Sequence, residues 1–223
     1  MKFKTFFISA FLSLGLTLGM CVGVLDDLVH HESYSVEYDV NYHNPRYVIY
    51  MLTKEDVEAN HSRTNFKKDP LIPQTISDEL YKHTDHHRGH MVPGEDKGAE
   101  TYFTSNICPQ NGTLNTGLWK EIEIALRKRA LTGEKLIIMV GPIYSDRNPV
   151  YLCLKPSIRI PEAFFKIVYG GAVRETYLIP NQPIANADPK DYLVNYGIVQ
   201  VLTKIDFDAV MAKFIDYQSD IKK

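Results

Sequence analysis

Cysteine is scarce in this sequence, three in 223 residues, tryptophan occurs once, and neither sign of charge dominates: 25 basic against 27 acidic side chains leave a formal net charge of −2. About 200 residues can bury roughly 70% of their unfolded surface, so such a core needs neither disulfides nor a metal to exist. The even charge excludes binding of polyanions through an overall basic field; any cations that meet a polyanion must be concentrated locally. Two such concentrations exist, Arg63 with Lys67 and Lys68, and Arg127 with Lys128 and Arg129. Internal repeats and low-complexity tracts are absent, and 13 Gly and 12 Pro are ordinary numbers, which excludes collagen-like and disordered classes. With 44% apolar and 23% charged residues, one globular domain is the expectation.

What is present starts with Lys2 and Lys4 ahead of an apolar run from Phe6 to Val24. That arrangement reads as a secretory signal peptide over residues 1–24, or as an uncleaved membrane anchor, because the run approaches the ~20 residues that cross a bilayer. Leu18-Gly19-Met20-Cys21 is loosely similar to a bacterial lipoprotein signal, with Met20 where a small residue is expected. Each alternative makes the protein secreted or extracytoplasmic, in the periplasm or at the cell surface, with residues 25–223 as a single domain. In an oxidising compartment Cys108 and Cys153 could pair or remain buried thiols; the sequence leaves both open.

Tyr34, Val36 and Tyr38 alternate with Ser33, Ser35 and Glu37, the pattern of a half-buried strand. Tyr47 to Leu52 predicts a second strand, reached through an Asn44-Pro45 turn. Thr53 to Gly98 is polar, rich in His and Pro and nearly aperiodic, and so long a stretch in a compact domain is usually functional. Thr101 to Phe103 is expected as a short strand. Leu118, Trp119, Ile122, Leu126 and Ala130 predict a helix from about Asn115 to Leu131, closed by Thr132-Gly133. Lys135 to Val140 predicts a buried strand ending at Gly141-Pro142, and Phe164 to Tyr169 with Glu175 to Ile179 a hairpin through Gly170-Gly171. From Asp188 onward one or two amphipathic helices are expected. The residues thus predict a mixed chain with a mainly antiparallel sheet.

Chemistry concentrates between Lys82 and Met91, where His83, His86, His87 and His90 crowd together with Asp85, Arg88 and Gly89. The tract reads as a solvated loop, as a metal-sequestering His cluster, or as a catalytic loop with one His as base and Arg88 on a phosphate. Downstream, Asn115, Trp119, Glu123 and Arg127 follow at i+4 steps and share one side of the expected helix. A carboxamide oxygen suits a hard cation such as Mg²⁺ that keeps most of its waters; Asn115 could equally be a helix N-cap.

RTNF (63–66), RGHM (88–91), SNICPQ (105–110), LNTGLWKEIE (114–123), GPIY (141–144), PEAFFKIVY (161–169) and TYLIPN (176–181) occur in that order. Seven motifs so spaced, covering roughly Tyr47 to Asn181, resemble the DNA/RNA non-specific endonucleases, the ββα-metal or His-Me finger nucleases. The resemblance implies an α+β fold: a central, mainly antiparallel sheet flanked by helices, carrying a ββα-metal active-site unit. It implies His90 as general base, Asn115 as the direct protein ligand of a Mg²⁺ (Mn²⁺ as substitute), and Glu123 holding a metal-bound water. It further implies Arg88 and Arg63 on the phosphate, Arg127 supporting them, and Asn106 as an active-site, substrate-binding asparagine. DNA and RNA are the implied substrates, hydrolysed to 5′-phosphate and 3′-hydroxyl ends.

One departure stands out. The family pattern DRGH has an Asp where this chain has His87, with Asp85 and Asp96 as candidate replacements. A catalytically impaired nucleic-acid-binding relative is therefore one alternative, and a His-rich metal-binding protein another.

Overall fold

The computed structural model describes residues 28–154, 156–171 and 173–220. The expected signal or anchor at residues 1–24 lies outside them, and no helix among the described residues is long and apolar enough to cross a membrane. The described residues divide into two compact units, 28–194 and 195–220.

Ten strands are described in the larger unit: β1 (Leu28–His30), β2 (Ser35–Asp39), β3 (Asn44–Leu52), β4 (His86–His90), β5 (Ile107–Asn111), β6 (Leu136–Ile143), β7 (Tyr151–Leu154), β8 (Ser157–Arg159), β9 (Ala163–Gly170) and β10 (Val173–Pro180). Six form an antiparallel sheet in the order β1-β2-β3-β6-β9-β10, while β4 pairs with β5 and β7 with β8 in separate ribbons. Among them lie four helices, α1 (Lys54–Glu58), α2 (Gly94–Lys97), α3 (Gly112–Thr116) and α4 (Leu118–Leu131). The architecture is α+β, a large antiparallel sheet flanked by helices.

The alternation read at Tyr34 and Val36 puts both side chains in the core with Val48, Tyr50 and Leu52 of β3. Onto them α4 lays Leu118, Trp119, Ile122, Leu126 and Ala130, all buried. Each fully buried large apolar side chain contributes roughly 1.5–3 kcal/mol, so this one helix face anchors everything that α4 carries. Trp119 meets Phe164 of β9 edge-on, with ring centroids 5.5 Å apart.

Four local expectations change. Asn44-Pro45 belongs to β3 itself; Pro45 faces Tyr38 where the β2–β3 register shifts, and it precedes the pairing with β6, which begins at Val48. Gly141-Pro142 does not end β6, which continues to Ile143 because Gly141 lets the Arg46 carbonyl approach: a Cβ there would lie 2.6 Å from that oxygen. Thr101 to Phe103 is mostly a 3-10 turn (Gly98–Tyr102), with Phe103 alone bridging to Lys67. Finally, the helix expected from Asn115 to Leu131 is two helices parted at Gly117. The β9–β10 hairpin forms as expected, and Cys108, which is buried, is not joined to Cys153.

In the smaller unit α5 (Tyr196–Thr203) and α6 (Phe207–Asp220) fulfil the expectation of C-terminal helices. The Asn195 side chain caps α5 by accepting from the Gly197 amide, and the Tyr196 hydroxyl donates to Asp208 Oδ1 at 2.9 Å.

Candidate active site

The site is built on the β4–β5 ribbon, in register from His86 opposite Asn111 to His90 opposite Ile107. Side chains alternate along a strand, so His86, Arg88 and His90 project to one face and His87 and Gly89 to the other. Gly89 is demanded by packing: a Cβ would collide with the Gln110 side chain. Gln110 itself is fully buried, and neither of its amide atoms has a hydrogen-bond partner.

His90 sits between two aromatic rings, Phe66 at 5.1 Å and Tyr102 edge-on at 5.0 Å, and its Nε2 is buried without a partner. Burial, reinforced by the positive charges of Arg63 and Arg88, holds its pKa down at about 4. The imidazole is therefore neutral at neutral pH and has a lone pair to offer.

Arg88 lies over the same Phe66 ring, 4.9 Å from its centroid, and donates from Nη1 to Asp78 Oδ2 at 2.6 Å. Asp78 was not singled out from the sequence. It opens a 3-10 turn (Asp78–Tyr81) ten residues upstream, inside the aperiodic segment, and only the fold brings it to Arg88. Arg63 is exposed on the same stretch.

Asn106 is a correction. Expected as a substrate contact, it is fully buried, and its carboxamide is engaged with backbone: Oδ1 accepts from Val92 N, and Nδ2 donates to the Val92 and Thr101 carbonyls, at 2.8–2.9 Å. It fastens the chain just beyond His90, a positioning task.

Asn115 stands in the short helix α3, and the capping role open to it belongs to Asn111, whose Oδ1 accepts from the Thr113 and Leu114 amides. Its Nδ2 instead lies 3.2 Å from His87 Nδ1, so Asn115 meets β4 three residues before His90, at the side chain that replaces the family Asp. The break at Gly117 takes Asn115 out of phase with Trp119, Glu123 and Arg127. Trp119, the second member of that series, belongs to the core.

Glu123 is mostly buried, with Lys166 Nζ 3.8 Å from its Oε1. Burial raises its carboxyl to about 7 against the pull of Lys166. Lys166 is wholly buried and lies over the Trp119 ring at 4.2 Å. Arg127, expected to support the phosphate contacts, bridges Asp96 at 2.9 Å and Glu95 at 3.1 Å instead. Asp96 is thereby committed and does not replace the missing family Asp; Asp85 is exposed.

Among the described residues no three His, Cys, Asp or Glu side chains gather into a metal cage, which removes the support for a metal-sequestering His cluster. The donor that remains is the Asn115 carboxamide oxygen, with its nitrogen turned to His87. That set does not fit a zinc or copper site; it fits a hard, mostly hydrated divalent ion.

Residues 17–214 match the sequence pattern of the DNA/RNA non-specific endonucleases. The chain belongs to that family. It is 28% identical over 207 residues to the mitochondrial Nuclease 1 of Schizosaccharomyces pombe, covering 79% of this chain and 64% of that protein. With the mitochondrial Nuclease EXOG of Mus musculus it shares 33% over 178 residues, 68% of this chain and 48% of that one. The chain thus spans half to two thirds of the length of these relatives. Its fold is that of the protein in the crystal structure of the EndoG/EndoGI complex, with a TM-score of 0.71 at 24% identity over 81% of this chain and 84% of the other. The names also correct one expectation: relatives from yeast, zebrafish, mouse and cattle are mitochondrial nucleases, which overturns the secreted or extracytoplasmic localisation.

Proposed function

We propose that this chain is a divalent-metal-dependent endonuclease that hydrolyses phosphodiester bonds of DNA and RNA, leaving 5′-phosphate and 3′-hydroxyl ends. The observation that carries the reading is His90: a neutral, partly enclosed imidazole with an unpartnered Nε2, flanked by two guanidiniums in a family of nucleases.

His90 takes the proton of the attacking water, assistance of a kind that contributes ~10²–10⁴-fold. Arg88, braced by Asp78 and Phe66, presents its remaining N–H groups to a non-bridging phosphate oxygen, and Arg63 adds a second guanidinium. Asn115 would hold a Mg²⁺, or Mn²⁺ in its place, through its carboxamide oxygen, and Glu123 would hold one of the ion's waters. Such an ion, when bound, neutralises charge developing on the departing 3′ oxygen. Imidazole and guanidinium groups directed at phosphate read no base edges, which supports weak sequence preference and acceptance of both sugars.

Purified protein incubated with plasmid DNA and with RNA is expected to cleave both in Mg²⁺ and neither in EDTA. Binding of nucleic acid without cleavage in Mg²⁺ would identify the impaired relative to which His87 points. Asn115→Ala is expected to raise the Mg²⁺ concentration for half-maximal cleavage by about tenfold or more; an unchanged metal titration would remove Asn115 from this role.

A further inference from the structure

We propose that His87, where the family pattern has Asp, is a positioning residue that sets which end of the Asn115 carboxamide faces the cation. The proposal rests on the reading of Asn115 as metal ligand and concerns this chain's own solution to the missing carboxylate.

The imidazole of His87 lies against α3 where Gly112 leaves room for it: a Cβ at Gly112 would be 2.8 Å from Nε2 and 3.2 Å from Cδ2 and Cε1. In that placement Nδ1 lies 3.2 Å from Asn115 Nδ2. An amide nitrogen only donates, so Nδ1 accepts and the ring carries its proton on Nε2. With Nδ2 engaged, Oδ1 points away from His87. The reverse orientation, with the amide nitrogen facing the cation, would present N–H groups to a positive charge and bind nothing. A carboxylate at position 87 would accept from the same nitrogen, so Asp and this His tautomer do the same work on Asn115 by different atoms. Gly112 and His87 then form a pair: the small residue in α3 makes space for a ring much larger than a carboxylate.

Partners that orient a ligand typically change metal affinity 10–100-fold when lost. The test is Mn²⁺ binding to the full chain without nucleic acid, followed by electron paramagnetic resonance of the free ion, beside Mg²⁺ titrations of plasmid cleavage. His87→Ala is expected to weaken Mn²⁺ binding about tenfold, to raise the Mg²⁺ needed for cleavage by a like factor, and to regain most of its rate at high Mg²⁺. His87→Asp should restore both. In an Asn115→Ala background, His87→Ala should cause no further loss of Mn²⁺ affinity. Wild-type Mn²⁺ binding by His87→Ala, or a further loss in the Asn115→Ala background, would overturn the role of His87 alone. Unaltered Mn²⁺ binding by Asn115→Ala would instead overturn the metal-ligand reading on which it rests.

Discussion

Replacement of His90 by Ala is expected to lower plasmid nicking by about 10²–10⁴-fold, the contribution of a positioned general base, without loss of the fold. The ring is half enclosed by Phe66 and Tyr102 and makes no hydrogen bond through Nε2, so its removal deletes two aromatic contacts and orphans no buried partner. Such contacts contribute about 0.5–1.5 kcal/mol beyond their area, a small loss beside the catalytic one. The same surroundings make a second, independent reading available. Desolvation disfavours the imidazolium and the two neighbouring guanidiniums repel it, so the proton leaves at lower pH than from an exposed ring. In a pH titration of ring resonances by NMR, the His90 signal should move near pH 4 and stay flat through pH 6–8. A midpoint near 6.5 would mean that the ring is solvated and the enclosure described here is wrong.

Arg127→Met carries the largest expected effect on stability. Its guanidinium is the partner of Asp96, a carboxylate whose side chain is 2% exposed, and the two are 2.9 Å apart. Burial already raises the Asp96 carboxyl despite that partner. Removing one half of a buried pair costs about 3–5 kcal/mol because the other half stays desolvated and uncompensated. For a domain of this size each kcal/mol moves the melting temperature by roughly 2–4 °C, so a fall of about 6–20 °C is expected. Adding Asp96→Leu should recover much of it, since the stranded carboxylate is then gone. If instead Arg127→Met melts within a degree or two of wild type and has lost cleavage, Arg127 acts on the phosphate and the ion-pair account fails.

These two residues mark the boundary of what the sequence makes legible. The order and spacing of the seven motifs point to the family, and the periodicity of Leu118, Ile122 and Leu126 points to the helix that packs on the sheet. Both signals are local, and the structure keeps them. What the sequence could not resolve depends on side chains that meet only after folding. Asn106 looked like a ligand-facing residue because it lies within an active-site motif; its buried amide instead ties the chain leaving β4 to the Gly98–Tyr102 turn. The i+4 series from Asn115 to Arg127 assumed one unbroken helix, and a single residue, Gly117, resets the phase. The backbone there (φ −104°, ψ −112°) departs from the helix, and the Thr113 carbonyl would lie 2.8 Å from any added Cβ. Asp78 has no signal of its own, because its importance comes from Arg88. The reverse holds at His87: its departure from the family pattern was visible at once, but its partner Asn115, 28 residues on, appears only when α3 folds back along the ribbon.

The central claim is that a neutral imidazole at position 90 takes the proton from water during phosphodiester hydrolysis, and chemical rescue tests it most directly. His90→Gly leaves a ring-sized space between Phe66 and Tyr102, and added imidazole should restore plasmid cleavage in proportion to its unprotonated concentration. A variant that imidazole does not rescue, or that cleaves near the wild-type rate without it, would contradict the account.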